Sequence, residues 1–204
     1  MKTVHSDEAT KLNMRTANTR DIQQQMNIRA DTINKYILGK DCNRPFLLND
    51  AFTTDATLET NVQTETIDFP KSLSGRDAIV DTLVRKFNQQ YENIYTFCIA
   101  AEPHTDKEIF SCHWMVVMTA KEDKSLRIGC GQYDWVFESA TDRASSLCIT
   151  INMMETSPPS KTENVLNWAS NLPYPWCSLT ELTLQLPNEP LLLRVTNFIE
   201  SKAS

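Results

Sequence analysis

The chain has 204 residues with a formal net charge of −6, and its hydrophobic and charged fractions, 41% and 23%, are those of an ordinary globular protein. No segment approaches the roughly 18 uninterrupted apolar residues that a membrane span needs. Lysine and arginine form no cluster that would neutralise phosphates. We therefore expect one main domain with neither a membrane nor a nucleic acid as its partner. The polar N-terminus, residues 1–17, predicts a flexible arm without a signal peptide.

Six cysteines occur, and four of them fall in apolar, strand-like segments where a free thiol behaves as a small buried hydrophobe. Their spacing does not match a zinc site, and the chain contains no Asn-x-Ser/Thr glycosylation sequence. These features predict reduced cysteines in a cytoplasmic protein. With four glycines and no phosphate-binding or dinucleotide-binding motif, the sequence predicts neither a metal nor a cofactor.

The first part of the chain alternates between helical and extended patterns. Apolar residues at helical spacing predict a helix over residues 20–38, which we expect to stop at Gly39. A short helix over 44–52 and a strand over 56–69 follow. The sequence Ser74-x-x-Asp77 then resembles a capping box, and it precedes an apolar stripe that predicts a long helix.

The second part of the chain predicts a series of antiparallel strands over residues 94–101, 109–120, 126–138 and 147–155, separated by polar turns. After the linker ETSPPS, two further capping boxes start at Ser160 and Ser178. The last segment, residues 157–204, predicts a mostly helical extension. It is too short for a core of its own, so it must bury its leucines and tryptophans against the main domain or against a second copy. This order of elements predicts the α+β class.

The hairpin of residues 109–138 has a predictable register. If KEDK is its turn, Ala120 faces Ser125, and alternation sorts the side chains onto two faces. One face carries large aromatic residues, among them Trp114, Tyr133 and Trp135. The other face carries a group of polar side chains that the next strand extends: Ser111, His113, Gln132, Asp134 and Asn152.

This polar group has two interpretations. If it faces a pocket, His113 and Asp134 are diagonal neighbours that predict a catalytic acid/base pair, because a nearby carboxylate fixes the imidazole tautomer and raises its pKa. Ser111, Gln132 and Asn152 would then contact the ligand, and Tyr36 of the first helix would reach the pocket mouth. Alternatively, the group is the wet face of an antiparallel sheet and has no chemical role.

The order of elements, together with the sequences "AFTTDATLE", "LSGRDAI" and "GQYDWVFES", resembles the nuclear transport factor 2-like superfamily, and most closely its SnoaL-like branch. The resemblance covers residues 18–156. It implies a cone in which helices pack in the concave face of a curved, mostly antiparallel sheet that encloses a pocket. The segment 157–204 would be an addition to that cone.

The resemblance also implies candidate chemistry, because the family includes ketosteroid isomerases, polyketide cyclases and dehydratases as well as binding modules. The isomerase base corresponds here to Thr60, and the isomerase tyrosine falls near Ile33, with Tyr36 one turn later. The dehydratase histidine falls in the range 96–98. None of these positions holds the family's catalytic residue.

Two functions follow from these observations, and the sequence leaves open whether the protein is an enzyme. The first is the binding of a small apolar molecule in a SnoaL-like pocket without chemistry. The alternative is a cofactor-independent isomerase, cyclase or dehydratase that acts on a polyketide- or steroid-like substrate through His113 and Asp134. Because both faces of the strand over 109–120 carry large apolar groups, the second face must be covered by a partner subunit, by the C-terminal extension or by both, and we expect a homodimer.

Overall fold

The computed structural model describes residues 28–103 and 108–203, so the predicted arm over 1–17 lies outside the described residues. The first helix, α1, covers residues 28–41. The remaining helices are α2 (Leu48–Ala51), α3 (Arg76–Val80), α4 (Phe87–Gln90), α5 (Thr162–Ala169), α6 (Leu179–Thr183) and α7 (Pro190–Ala203). A π-helical stretch, Asp81–Lys86, joins α3 to α4. The strands are β1 (Phe52–Val62), β2 (Ser72–Ser74), β3 (Tyr91–Ile99), β4 (Ile109–Ala120), β5 (Leu126–Phe137) and β6 (Ala144–Ser157).

The six strands form one curved sheet in the order β2-β1-β6-β5-β4-β3. All neighbours are antiparallel except β1 and β6, which run parallel. The predicted register of the β4–β5 hairpin is confirmed: His113 pairs with Gln132, and Ser111 pairs with Asp134. The α+β class with helices in the concave face of the sheet is likewise confirmed.

The concave face of the sheet, called the inner face below, packs against α1, α2 and the helical segment over residues 76–90. Its core contains the aromatic residues that alternation assigned to one side of the hairpin, including Trp114, Tyr133 and Trp135. Gly131 makes room there, because an added Cβ would lie 1.8 Å from the Thr150 carbonyl oxygen. The large rings therefore define the side on which the helices lie.

The opposite face of the sheet, called the outer face, is covered in part by the C-terminal extension. Leu192, Val195 and Ile199 of α7 form a second buried cluster with Met115 and Val117 of β4. Together these contacts bury the part of the outer face around Met115 and Val117, whereas Ile109 and Val136 at its other end stay exposed.

A short segment of the extension, Tyr174–Cys177, adds to the edge of β3. The Cys98 amide donates to the Pro175 carbonyl at 2.7 Å, and the Cys177 amide donates to the Cys98 carbonyl at 3.0 Å. The indole of Trp176 donates to Asn34 of α1 at 2.8 Å. The extension thus satisfies part of an otherwise open sheet edge and connects it to α1.

Three local predictions were wrong. Gly39 does not end α1, which continues to residue 41; instead, the lack of a side chain lets Leu48 approach, because an added Cβ would lie 2.4 Å from the Leu48 Cδ1. The Ser74 capping box does not form, since Gly75 is the N-cap of α3. The Ser160 capping box does not form either, since α5 begins after Lys161. The box at Ser178 is confirmed, with Glu181 as its reciprocal partner.

Among the described residues, no helix is both long and apolar enough to cross a bilayer. All six cysteines are free: Cys98, Cys112, Cys130 and Cys177 are buried, Cys148 is half-buried and Cys42 is exposed.

Candidate functional site

A cavity of about 50 Å³ lies between the inner face of the sheet and the helices. Four side chains that carry a polar group line it: Tyr36, Lys40, Thr60 and Thr96. Tyr133 is grouped below with the aromatic residues. The others are apolar or aromatic: Ile67, Phe69, Leu83, Phe87, Trp114, Val116, Met118, Tyr133, Ile149, Ile151 and Met154. An apolar pocket with a few convergent polar groups is the usual form of a small-molecule site.

Helix α1 supplies two of the polar groups. Tyr36 and Lys40 are four residues apart, so they lie one above the other on the same helical face. The Tyr36 ring is held by edge-to-face contacts, with its centroid 5.2 Å from that of Trp135, 5.8 Å from that of Phe52 and 5.9 Å from that of Tyr133. These contacts lock the position of the phenol beside the cavity.

The hydroxyl of Tyr36 is fully buried and has no hydrogen-bond partner among the described residues. Burial raises its pKa, and the nearby Tyr133 hydroxyl counters part of that rise. Although these two hydroxyls influence each other's pKa, their geometry does not make a regular hydrogen bond. Burial also raises the pKa of Tyr133, so both phenols stay protonated and can donate.

Lys40 belongs to a buried polar network at one end of the cavity. Its ammonium forms an ion pair with Asp41 and donates to the Thr96 Oγ1 at 2.7 Å. The side chains of Lys40 and Asp41 are only 7% and 1% exposed. The ammonium also lies 5.2 Å from the centroid of the Phe87 ring.

The carboxylate of Asp41 receives four donors. Its Oδ1 accepts from Lys40 and from the Thr96 hydroxyl, the latter at 2.9 Å. Its Oδ2 accepts from the Thr96 amide at 2.7 Å and from the Tyr174 hydroxyl at 3.0 Å. One carboxylate therefore connects α1, β3 and the C-terminal extension.

The loop over residues 63–71 covers one side of the cavity. Its half-buried side chains Ile67 and Phe69 line the cavity, and Phe69 stacks on Phe87 with centroids 6.3 Å apart. The Thr60 hydroxyl donates to the Pro70 carbonyl at 2.5 Å and so holds the loop against β1. A molecule that enters from this side must displace the loop side chains.

Of the site residues predicted from the sequence, only Tyr36 of α1 lines the cavity, and those of the sheet lie elsewhere. Ser111 donates to the Asp134 Oδ1 at 2.6 Å, and Gln132 donates to the same oxygen at 2.7 Å. Asn152 donates to Gln63 at 2.8 Å. The structure thus brings Ser111, Gln132 and Asp134 together, but on the outer face.

His113 is half-buried on that same outer face, next to Gln132 in the register. Neither His113 nor any of the other polar residues predicted from this face lines the cavity. The interpretation that this face turns toward the pocket is wrong, because the aromatic face is the one that packs against the helices and lines the cavity. The catalytic roles of His113 and Asp134 and the ligand-binding roles of Ser111, Gln132 and Asn152 stay predictions.

Three residues of the site were missed by sequence reasoning: Lys40, Asp41 and Thr96. Lys40 continues the helical stripe of Tyr36 by one turn, and this signal was lost because Gly39 predicted the end of the helix. Thr96 drew attention only as the position of a family histidine. Among the described residues, no group of three or more His, Cys, Asp or Glu side chains is placed to hold a metal ion.

No protein-family model matches the chain, and no curated protein matches it significantly. Solved structures that resemble it include a nuclear transport factor 2-like superfamily protein from Salmonella enterica, with a TM-score of 0.49 and 14% identity over 66% of this chain and 94% of that one. A protein with a ketosteroid isomerase-like fold from Catenulispora acidiphila has a TM-score of 0.47 and 12% identity, over 58% of this chain and 83% of that one.

A hexachlorocyclohexane dehydrochlorinase from Novosphingobium barchaimii has a TM-score of 0.44 and 12% identity, over 71% of this chain and 94% of that one. The first two of these structures are named for the superfamily, or for a fold within it, that the sequence was found to resemble. At such identities and TM-scores, the likeness carries no statement about what this chain binds or catalyses.

Proposed function

We propose that the protein binds a small, mainly apolar molecule in the inner cavity, with one polar atom of that molecule held by Tyr36. The observation that carries this proposal is the buried Tyr36 hydroxyl, which has no partner among the described residues. Leaving a buried polar group unpaired costs about 1–3 kcal/mol, and folded proteins rarely tolerate it without a reason. A bound acceptor atom at this position removes that cost.

The size of the cavity limits the bound group. A buried water molecule needs about 10–15 Å³ of cavity volume, so a cavity of about 50 Å³ accommodates a group of roughly three to five non-hydrogen atoms. A longer molecule extends past Ile67 and Phe69, whose side chains close the loop side of the cavity.

Methionine methyl groups provide a direct test by NMR. Met118 and Met154 line the cavity, whereas Met115 is buried in the cluster on the outer face. Titration with butanone should shift the methyl signals of Met118 and Met154 and leave that of Met115 in place. No shift at either cavity methionine, or equal shifts at all three, would overturn the proposal.

The role of Tyr36 is tested by removing its hydroxyl. Tyr36→Phe should weaken the binding of butanone about three- to tenfold, which is the contribution of one hydrogen bond. It should leave unchanged the binding of 2-methylbut-1-ene, the alkene of the same shape in which a CH₂ group replaces the carbonyl oxygen. Tyr95→Phe is the matched control, since Tyr95 packs on the outer face away from the cavity. An equal loss for ketone and alkene would show that Tyr36 acts only through packing.

The alternative function is acid/base catalysis by His113 and Asp134 in an isomerase, cyclase or dehydratase. It requires a substrate on the outer face, where the Asp134 carboxylate already accepts from Ser111 and Gln132. If the pair is catalytic, Asp134→Asn should move the pKa of His113 in an NMR titration. An unchanged His113 pKa would leave only the binding function.

A further inference from the structure

A buried lysine in an apolar cavity would by itself favour an anionic ligand. Lys40 lines the cavity and carries three ammonium hydrogens. Two of them go to Asp41 and to Thr96, and the third has no acceptor among the described residues. The cavity therefore offers two donors to a bound molecule, the Lys40 ammonium and the Tyr36 hydroxyl.

Asp41 changes the charge that a ligand meets. Its carboxylate is paired with Lys40, so the polar end of the cavity has no net charge. The four donors from Lys40, Thr96 and Tyr174 use the roughly four acceptor positions of a carboxylate. Asp41 thus compensates the lysine charge without offering an acceptor position to the ligand.

An ion would enter this site at a large cost. A carboxylate ligand gains attraction from Lys40 and meets repulsion from the adjacent Asp41, yet it must still leave water. A cationic ligand faces the reverse balance and finds no free carboxylate oxygen. Burying a charge without its own partner is strongly unfavourable, whereas a neutral carbonyl loses less solvation and gains a donor.

We infer that the cavity selects a neutral molecule that presents a hydrogen-bond acceptor, such as a ketone or amide carbonyl, and that the Lys40–Asp41 pair excludes ions of either sign. This inference rests on the proposed function and names the chemical class of its ligand. Tyr36 donates to the acceptor atom, and the aliphatic and aromatic walls contact the remainder of the ligand.

Three molecules of the same planar shape separate charge from size: butanone is neutral, propionate is an anion and propionamidine is a cation near neutral pH. Titrated against the wild-type protein and read at the Met118 and Met154 methyl groups, butanone should bind at least about 30-fold more tightly than either ion. Equal or tighter binding of propionate overturns this inference and leaves the proposed function intact. If none of the three binds, the proposed function itself fails.

Neutralising one or both charges tests the role of the pair. Asp41→Asn leaves the Lys40 charge uncompensated, so the affinity for propionate should rise at least about tenfold relative to the affinity for butanone. The double variant Lys40→Met/Asp41→Asn removes both charges and should reject propionate again. Asp81→Asn, which removes an exposed carboxylate of the helical segment, is the control and should leave the preference unchanged.

Circular dichroism establishes that each variant is folded, and the wild-type series decides the inference if Asp41→Asn does not fold. A folded Asp41→Asn protein that still prefers butanone to propionate by the wild-type ratio would contradict the role assigned to the pair.

Discussion

The two faces of the sheet treat polar groups in opposite ways. On the outer face, Ser111, Gln132 and Asp134 bond to one another at a partly exposed surface. On the inner face, the Tyr36 hydroxyl and the Trp114 indole nitrogen are buried without partners among the described residues. The polar residues of the outer face use their hydrogen bonds on one another and on water, so few are left for a ligand. An isolated donor in an apolar cavity, in contrast, can still form a hydrogen bond with a ligand.

The inner face also contains the more deeply buried charges. Lys40 and Asp41 are both nearly inaccessible to solvent, while the polar residues of the outer face stay partly exposed. The changes in the free energy of unfolding that substitutions cause should therefore differ in size between the two faces, and in one case they should differ in sign.

The largest effect is expected at the buried ion pair. Asp41→Asn leaves the Lys40 charge without compensation in the protein interior, which should lower the free energy of unfolding by about 3–5 kcal/mol. Urea denaturation followed by circular dichroism measures this loss. Asp81→Asn breaks an exposed ion pair with Lys86 and should change the unfolding free energy little. A small effect at Asp41 would mean that water reaches the pair.

A somewhat smaller loss is expected where the C-terminal extension covers the outer face. Leu192 of α7 is fully buried in the cluster with β4 and β5, so Leu192→Ala should cost about 2–5 kcal/mol in the same assay. Leu184 is 66% exposed, and Leu184→Ala should change the unfolding free energy by less than about 0.5 kcal/mol. Equal effects of the two substitutions would show that the extension does not pack on the sheet in solution.

Gly131 tests how tightly the inner face is packed. A methyl group there would meet the Thr150 carbonyl, so Gly131→Ala should lower the free energy of unfolding by about 1–3 kcal/mol through displacement of β6. The comparison is Val136→Ala at the exposed end of the outer face, which should cost less than about 1 kcal/mol. Chemical denaturation of both variants measures the difference, and an unchanged Gly131→Ala protein would rule out close contact between β5 and β6.

The smallest expected change in the free energy of unfolding is also the one expected to be stabilising. Tyr36→Phe removes a buried hydroxyl that has no partner among the described residues, so without ligand it should raise the free energy of unfolding by about 1 kcal/mol. Tyr174→Phe makes the same chemical change but removes a donor to Asp41, so it should lower the unfolding free energy. Thermal and urea denaturation of the two variants side by side check this reversal. A loss of stability in both would mean that the Tyr36 hydroxyl has a partner in the free protein.

Much of the fold follows from the sequence. The hairpin register of β4 and β5 and the division of its residues between two faces were predicted, because alternation and a short polar turn are local properties. The helix that follows Gly75 and the capping box at Ser178 were likewise readable from nearby residues.

The candidate site was predicted only at Tyr36, because Lys40, Asp41 and Thr96 meet through contacts between residues 55 or 56 positions apart. Gly39 hid the continuation of α1, since its packing against Leu48 depends on the following helix.

The sequence by itself thus determined the α+β class, the order of most elements, the pairing of β4 with β5 and which side chains of that hairpin share a face. The tertiary structure alone decided which face encloses the cavity, because sheet curvature and helix packing depend on the total apolar area buried by both faces rather than on any strand's pattern.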